Sequence, residues 1–253
     1  MKEIFAEELM VLSSIQLFMA NPDNIRPEAF GTGCIVKYRE QYYLMSVFHV
    51  INHDDLNMFL ETNLEPDKNS VPVIPVGNFM FFDLLKINKQ TNSEEFLKLI
   101  DEGGERLDIT FAKLENLPPL LQPEIDFGFI KIEKGSKAYL NLDFIAEPTN
   151  EEVYGFFGKI NHTYNGIHLS MQPTLKNNLK YLSSNKLFHK FLAPDIIKSK
   201  SDYEGCSGAP ILDSEGRLVA LACKVAEGTK LIYGFSIQEC IKLLNIAIET
   251  KQI

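Results

Sequence analysis

The sequence predicts an all-β fold, a sandwich or barrel, with one α-helix at its C-terminal end. Three observations lead there. Short apolar runs recur along the 253 residues, separated by Gly, Pro, Asn and Asp turn signals. No internal repeat or low-complexity tract interrupts them. A sustained helical period is clearest in the last stretch, where Ile237, Cys240, Ile241, Leu244 and Ile248 recur on one face.

Taken in order, the N-terminal run from Leu9 to Ala20 could pass for the apolar part of a signal peptide. The residues before it, MKEIFAEE, carry three glutamates and one lysine, the wrong charge bias, and no small-residue cleavage site follows. The run is read as a short helix leading into a first strand. Nothing approaches the roughly 20 apolar residues that span a bilayer, so the expectation is a cytoplasmic chain without membrane contact. Strands are expected at 13–19, 33–38, 42–46, 71–76, 79–87, 108–114, 127–132, 153–160, 167–172, 209–212, 218–225 and 231–236. Short helices are expected at 93–100 and within 176–191. Ser236 and Glu239 form an S-x-x-E capping box that opens the terminal helix, 237–250. The Pro-rich stretch PPLLQP, 118–123, breaks the pattern between two strand-rich parts. It divides the chain into 1–117, a connection over 118–150, and 151–253.

Composition narrows the function. With 45% hydrophobic and 23% charged residues the chain is ordinary globular protein. Its net charge of −9 and lack of a Lys/Arg block argue against a nucleic-acid surface. Cys34, Cys206, Cys223 and Cys240 show neither C-x-x-C spacing nor histidines at zinc-site spacing. They are expected to be reduced, mostly buried thiols.

The chemistry is concentrated in Gly205-Cys206-Ser207-Gly208-Ala209-Pro210, a G-x-S-G-x-P turn followed by Ile211-Leu212-Asp213 and Gly216-Arg217-Leu218-Val219-Ala220. Glycines let such a turn adopt positive φ and aim backbone N–H groups at one point beside the serine hydroxyl. Two further segments belong with it: Gly31-Thr32-Gly33-Cys34-Ile35-Val36 with the strand ending Ser46-Val47-Phe48-His49-Val50, and Leu107-Asp108-Ile109-Thr110-Phe111-Ala112-Lys113-Leu114. A serine hydroxyl needs a base at hydrogen-bond distance. Histidine, with a reference pKa of about 6.5, suits that role. A carboxylate then holds the ring in one tautomer. His53, His162, His168 and His189 lack such a setting and are read as surface or structural. Asp126, in Ile125-Asp126-Phe127-Gly128-Phe129, is the rival to Asp108; its plainer reading is a turn at a strand start.

The three segments, in the order His49, Asp108, Ser207, resemble the trypsin-like (chymotrypsin-fold) serine peptidases of the stand-alone bacterial type. That family shows G-S/T-G-F-x-V, a strand ending T-A-A-H-V, then D-I-A-x-x-x-L, and finally G-x-S-G-G-P. The likeness covers about residues 10–235. It implies two six-stranded antiparallel β-barrels plus the C-terminal helix, forming one peptidase domain with its site in the cleft between barrels. It implies a serine endopeptidase in which Ser207 attacks the scissile carbonyl, His49 serves as base and then acid, Asp108 orients His49, and the N–H groups of Gly205 and Ser207 form the oxyanion hole. The partner is a polypeptide substrate, with a regulatory protein as a further candidate; no metal or cofactor is needed.

Departures from the family pattern carry information. Members activated by zymogen cleavage have Asp before the serine; Cys206 stands here, which implies that this switch is missing and that the chain is competent by itself or controlled by a partner. Ala209 replaces the second glycine, and Val47-Phe48 replaces a pair of alanines; overpacking of that kind costs about 1–3 kcal/mol unless neighbours adapt. These two features sustain a rival reading, a binding module that kept the fold and lost turnover. Cys206 sits one place too early to be the nucleophile. By position, Ser201 and Asp202 belong near the base of the first substrate pocket, and Ala222, Cys223 and Lys224 pair with the bound peptide. Asp202 there favours a basic side chain and Lys224 an acidic one.

Overall fold

The computed structural model describes residues 5–21, 24–53, 55–65, 72–85, 92–165 and 168–253. Positions 71, 86, 87 and 167 of the expected strands, and residues 1–4 ahead of the N-terminal run, lie outside them. The fold is mostly β, as expected, in two antiparallel bodies. The first is a curled half-barrel sheet in the spatial order Val73–Val76, Asn57–Glu61, Ile15–Asn21, Asn24–Tyr38, Gln41–Ser46, Thr110–Leu114. The two-residue strand Leu140–Asn141 lies parallel to Asn24–Tyr38 at its side. The second body is a closed barrel of six strands: Tyr154–Asn165, His168–Ser184, Phe188–Leu192, Leu231–Ser236, Leu218–Val225 and Pro210–Asp213. Closure removes both edges, so each of these strands has neighbours for its backbone groups. The whole has the trypsin-like double-barrel arrangement.

The N-terminal run is a helix, Ala6–Ser13, that feeds the strand Ile15–Asn21. The strand Asn57–Glu61 was not expected from the sequence. Only Met58 and Leu60 are fully buried in it, too short an alternation to stand out between turn residues. The helix expected within 176–191 is absent. That segment continues His168–Ser184, paired with Tyr154–Asn165, and then forms Phe188–Leu192. Its apolar residues fit either period locally, and long-range pairing decides for strand.

The terminal helix, Ile237–Glu249, buries Ile237, Cys240, Leu244 and Ala247. Its capping box does not form. The Ser236 hydroxyl donates to Gln238 Oε1 (2.9 Å), while Glu239 accepts from Lys242 (2.6 Å). Packing of the apolar face holds the helix without the cap.

Leu212, Leu218, Leu221, Cys223 and Phe235 of the barrel share one apolar cluster with Leu17, Leu44 and Phe111 of the first sheet and with the terminal helix. A second cluster fills the barrel interior. The two bodies therefore meet through a common core. Lys137 of the connection lies half-buried at this junction, and its ammonium donates to Val11 O (3.0 Å), Ser14 O (2.6 Å) and Gln122 Oε1 (2.5 Å). All four cysteines are free and buried.

Candidate active site

His49 sits on a one-turn helix, Phe48–Ile51, immediately beyond the strand Gln41–Ser46. Val47 at its N-cap offers no side-chain acceptor. Asp108 supplies one instead: its Oδ1 accepts the backbone N–H of His49 at 2.9 Å. The same carboxylate holds the ring, with Nδ1 at 2.9 Å from Oδ1 and 2.8 Å from Oδ2. A carboxylate can only accept there, so Nδ1 carries the proton and Nε2 keeps its lone pair. Burial by itself raises the Asp108 carboxyl; the hydrogen bond and charge of His49, with a further bond from Cys223, outweigh it and hold the group below its ordinary value. Asp108 is thus an anion at neutral pH. Asp126 takes no part. It is exposed, and its Oδ1 accepts from Gly128 N at 2.7 Å in a turn.

The third partner of Asp108 was not read from the sequence in that role. Cys223 Sγ donates to Oδ2 at 2.8 Å. Ala222 pairs with Gly234 and Lys224 with Tyr233, so Cys223 is the extra residue of a β-bulge. The bulge turns its thiol out of the ladder and onto the carboxylate.

The serine loop is tied down from several directions. Cys206 N donates to Tyr203 O (2.9 Å), Gly208 N to Ala222 O (2.7 Å) and Ala209 N to Cys206 O (3.0 Å). Thr32, buried on the first sheet, donates through Oγ1 to Gly205 O (2.6 Å) and through N to Ser207 O (2.8 Å). Ser46 Oγ holds Thr32 O at 2.7 Å. Among the described residues, the N–H groups of Gly205 and Ser207 have no hydrogen-bond partner. Because Cys206 O points at Ala209 N, the trans peptide directs Ser207 N–H the opposite way. Gly205 and Gly208 have φ of +99° and +87°. A Cβ at Gly208 would stand 2.0 Å from Thr32 O, so only glycine lets the loop reach that strand.

The departures noted in the sequence fit without strain. Ala209 is fully buried and is not among the positive-φ residues, so its methyl meets no backbone penalty. Phe48 turns outward: its ring lies 5.6 Å from that of Phe81, and Arg106 covers both at 4.6 and 3.9 Å. Cys206 is buried against Gly158, and burial pushes its thiol up to about 12, leaving no thiolate at neutral pH.

His49, Ser207, Cys206, Ala222, Cys223 and Lys224 line one cleft of about 430 Å³. Phe156, Tyr203, Val225 and Ile232 form its apolar walls, with Lys200 and Glu204 also on the lining. Ser201 and Asp202 do not reach this cleft. They lie on a 3₁₀ turn, Lys200–Asp202, where Ser201 bonds Ser199 and Asp202 faces a separate depression beside Asp195 and Ile197. Lys224 is exposed, its ammonium 5.5 Å from the Tyr233 ring and 5.7 Å from that of Phe188.

No family model matches the sequence, and no curated protein matches it. Solved structures do. A serine endoprotease from Yersinia pestis superposes with a TM-score of 0.51 at 14% identity, over 96% of this chain and 66% of that one. The MamO protease domain from Magnetospirillum magneticum, in its apo form, superposes with a TM-score of 0.45 at 10% identity, over 90% of this chain and 94% of that one. The chain spans 66% of the length of the Yersinia protease. The fold is that of the trypsin-like serine peptidases. Among the described residues, no helix is long and apolar enough to cross a membrane.

Proposed function

We propose that this chain, which has the trypsin-like fold, is a serine endopeptidase. The observation that carries the reading is that Ser207 and His49 line one cleft, while the Nδ1–H of His49 is bonded to the ionised Asp108 behind it. In the reaction, Ser207 Oγ adds to the scissile carbonyl carbon as His49 Nε2 takes its proton. The oxyanion is met by the N–H groups of Gly205 and Ser207. Asp108 stabilises the imidazolium without taking its proton. The C–N bond then breaks, and His49 delivers the proton to the leaving amine. Water, deprotonated by His49, attacks the acyl-enzyme and releases Ser207.

A fluorophosphonate probe tests this directly. It is expected to label Ser207 in the wild-type protein and to fail in Ser207→Ala and His49→Ala. Peptide hydrolysis by Ser207→Ala should fall by about 10⁴-fold or more. Absence of labelling in folded wild-type protein removes the reading of a constitutively active endopeptidase and leaves a binding module or a partner-activated state.

A further inference from the structure

Among the described residues, one group of histidine, cysteine and carboxylate side chains brings its potential ligand atoms within 4.8 Å of one another: His49, Asp108 and Cys223. We propose that these three side chains form a binding site for a borderline-soft divalent cation, zinc above all, and that zinc bound there switches the peptidase off. The site does not depend on the peptidase reading; the switch does.

The donor set is the first argument. Imidazole nitrogen, carboxylate oxygen and thiolate sulfur together favour zinc over magnesium or calcium, which take oxygen ligands. Charge is the second. A carboxylate and a thiolate balance a doubly charged ion, so a partly buried site need not hold a net charge. Geometry is the third. The Asp108 oxygens lie 2.8–2.9 Å from His49 Nδ1 and 2.8 Å from Cys223 Sγ, and all three ligand atoms lie within 4.8 Å of one another. Tetrahedral zinc with bonds of about 2.0–2.3 Å needs ligand atoms about 3.3–3.7 Å apart. The two pairs that include Asp108 must therefore open by less than about 1 Å. The His49 side chain is 48% exposed on its one-turn helix and has room to swing. His49 and Cys223 line the cleft, which gives the ion an entry path and leaves its fourth position facing solvent or Ser207.

The proton count explains the inhibition. On binding, the Cys223 thiol loses its proton to solvent and its sulfur bonds the metal. His49 binds through Nδ1, and the proton it carried there moves to Nε2. A histidine protonated at Nε2 and ligated at Nδ1 has no lone pair to accept the Ser207 proton. One proton is released per ion, and nothing is oxidised or reduced.

Cobalt(II) titration of the full-length protein reads the site independently of activity. A thiolate-to-cobalt charge-transfer band with tetrahedral visible bands, saturating at one ion per chain and displaced by zinc, is expected. Cys223→Ser should abolish the thiolate band. Asp108→Asn, the second variant if Cys223→Ser does not fold, should weaken binding at least ten-fold. Cys34, Cys206 and Cys240 remain in both variants and report any unspecific thiol binding. A wild-type spectrum without the thiolate band, or a band unchanged in folded Cys223→Ser, overturns the site. For the switch, zinc should suppress fluorophosphonate labelling of the wild type, with EDTA restoring it. Undiminished labelling with zinc bound overturns the switch, whereas failure to label without zinc counts against the peptidase reading and leaves the cobalt result standing.

Discussion

Thr32 ties the serine loop to the first sheet with two hydrogen bonds, to Gly205 O and Ser207 O. In a chain with Cys206 where zymogen-type members carry Asp, this threonine holds the loop in shape. Thr32→Val keeps the volume and the backbone bond but deletes the Oγ1 bond to Gly205. It should lower kcat by about 10- to 100-fold with a smaller effect on KM, a loss of about 1.4–2.7 kcal/mol at the transition state. Thr32→Ser should recover most of it; steady-state kinetics on the three proteins decide. His162 touches the same loop from the other side. Its ring stacks on Phe30 at 3.8 Å, a Cβ at Gly205 would stand 2.7 Å from its Cε1, and its buried Nε2 has no partner among the described residues. Burial pulls its pKa below 6.5, against the Lys159 carbonyl, which favours the charged form. The unfolded chain then binds the extra proton more readily. Stability is accordingly lowest below the depressed native value, rises with pH up to about 6.5, and is flat for this group above it. Denaturant unfolding across that range should show a shallower rise for His162→Leu than for the wild type; equal slopes would rule the assignment out.

At the scale of elements, the one-turn helix Phe48–Ile51 has no side-chain cap of its own and borrows the Asp108 carboxylate. The two duties of that carboxylate separate by mutation. Asp108→Asn keeps an oxygen for the His49 N–H, but its amide donates to Nδ1 and places the ring proton on Nε2. It should cost about 10⁴-fold in kcat with little change in melting temperature. Asp108→Ala loses the cap as well and should cost about a further 1 kcal/mol of stability. Calorimetry beside kinetics on both variants checks the separation. The depressed carboxyl also sets an acid limit: its stabilising contribution is present above the unfolded carboxylate value and is lost as pH falls through the native one. The bulge at Cys223 belongs to this scale too. A regular ladder would not present that thiol to Asp108.

Across the whole molecule, the cleft depends on the core shared by the two bodies, because His49 and Asp108 come from one and Ser207 from the other. Its walls beside Ser207 are Phe156, Ala222, Val225 and Ile232, while Asp202 is directed elsewhere. Among the described residues, a side chain entering there meets mainly apolar surface, and Glu204 on the lining is exposed and does not offer a buried counter-charge to a lysine or arginine. Peptides with a medium-sized apolar residue on the acyl side of the scissile bond should therefore be cleaved at least about ten-fold faster, in kcat/KM, than lysine or arginine analogues. A matched fluorogenic series measures the ratio, and a preference for basic residues would contradict this picture of the cleft.

The candidate site residues were legible because their demands are local. A turn with positive φ needs Gly205 and Gly208, and a base at the end of a strand writes a short signature around His49. The terminal helix was legible from its period, and the all-β class from turn spacing. What lay beyond the sequence depends on contacts between distant segments. Lys176–Phe191 looked helical until pairing with Tyr154–Asn165 made it strand. Asp202 was near the serine in sequence, yet a 3₁₀ turn carries it away. Cys223 was one residue of a strand until a register shift put its thiol on Asp108. Local residue patterns suffice to mark which groups are candidates for the chemistry. The tertiary structure decided which of them meet, because register, bulges and the packing of two bodies around one core arise from long-range pairing that no single segment contains.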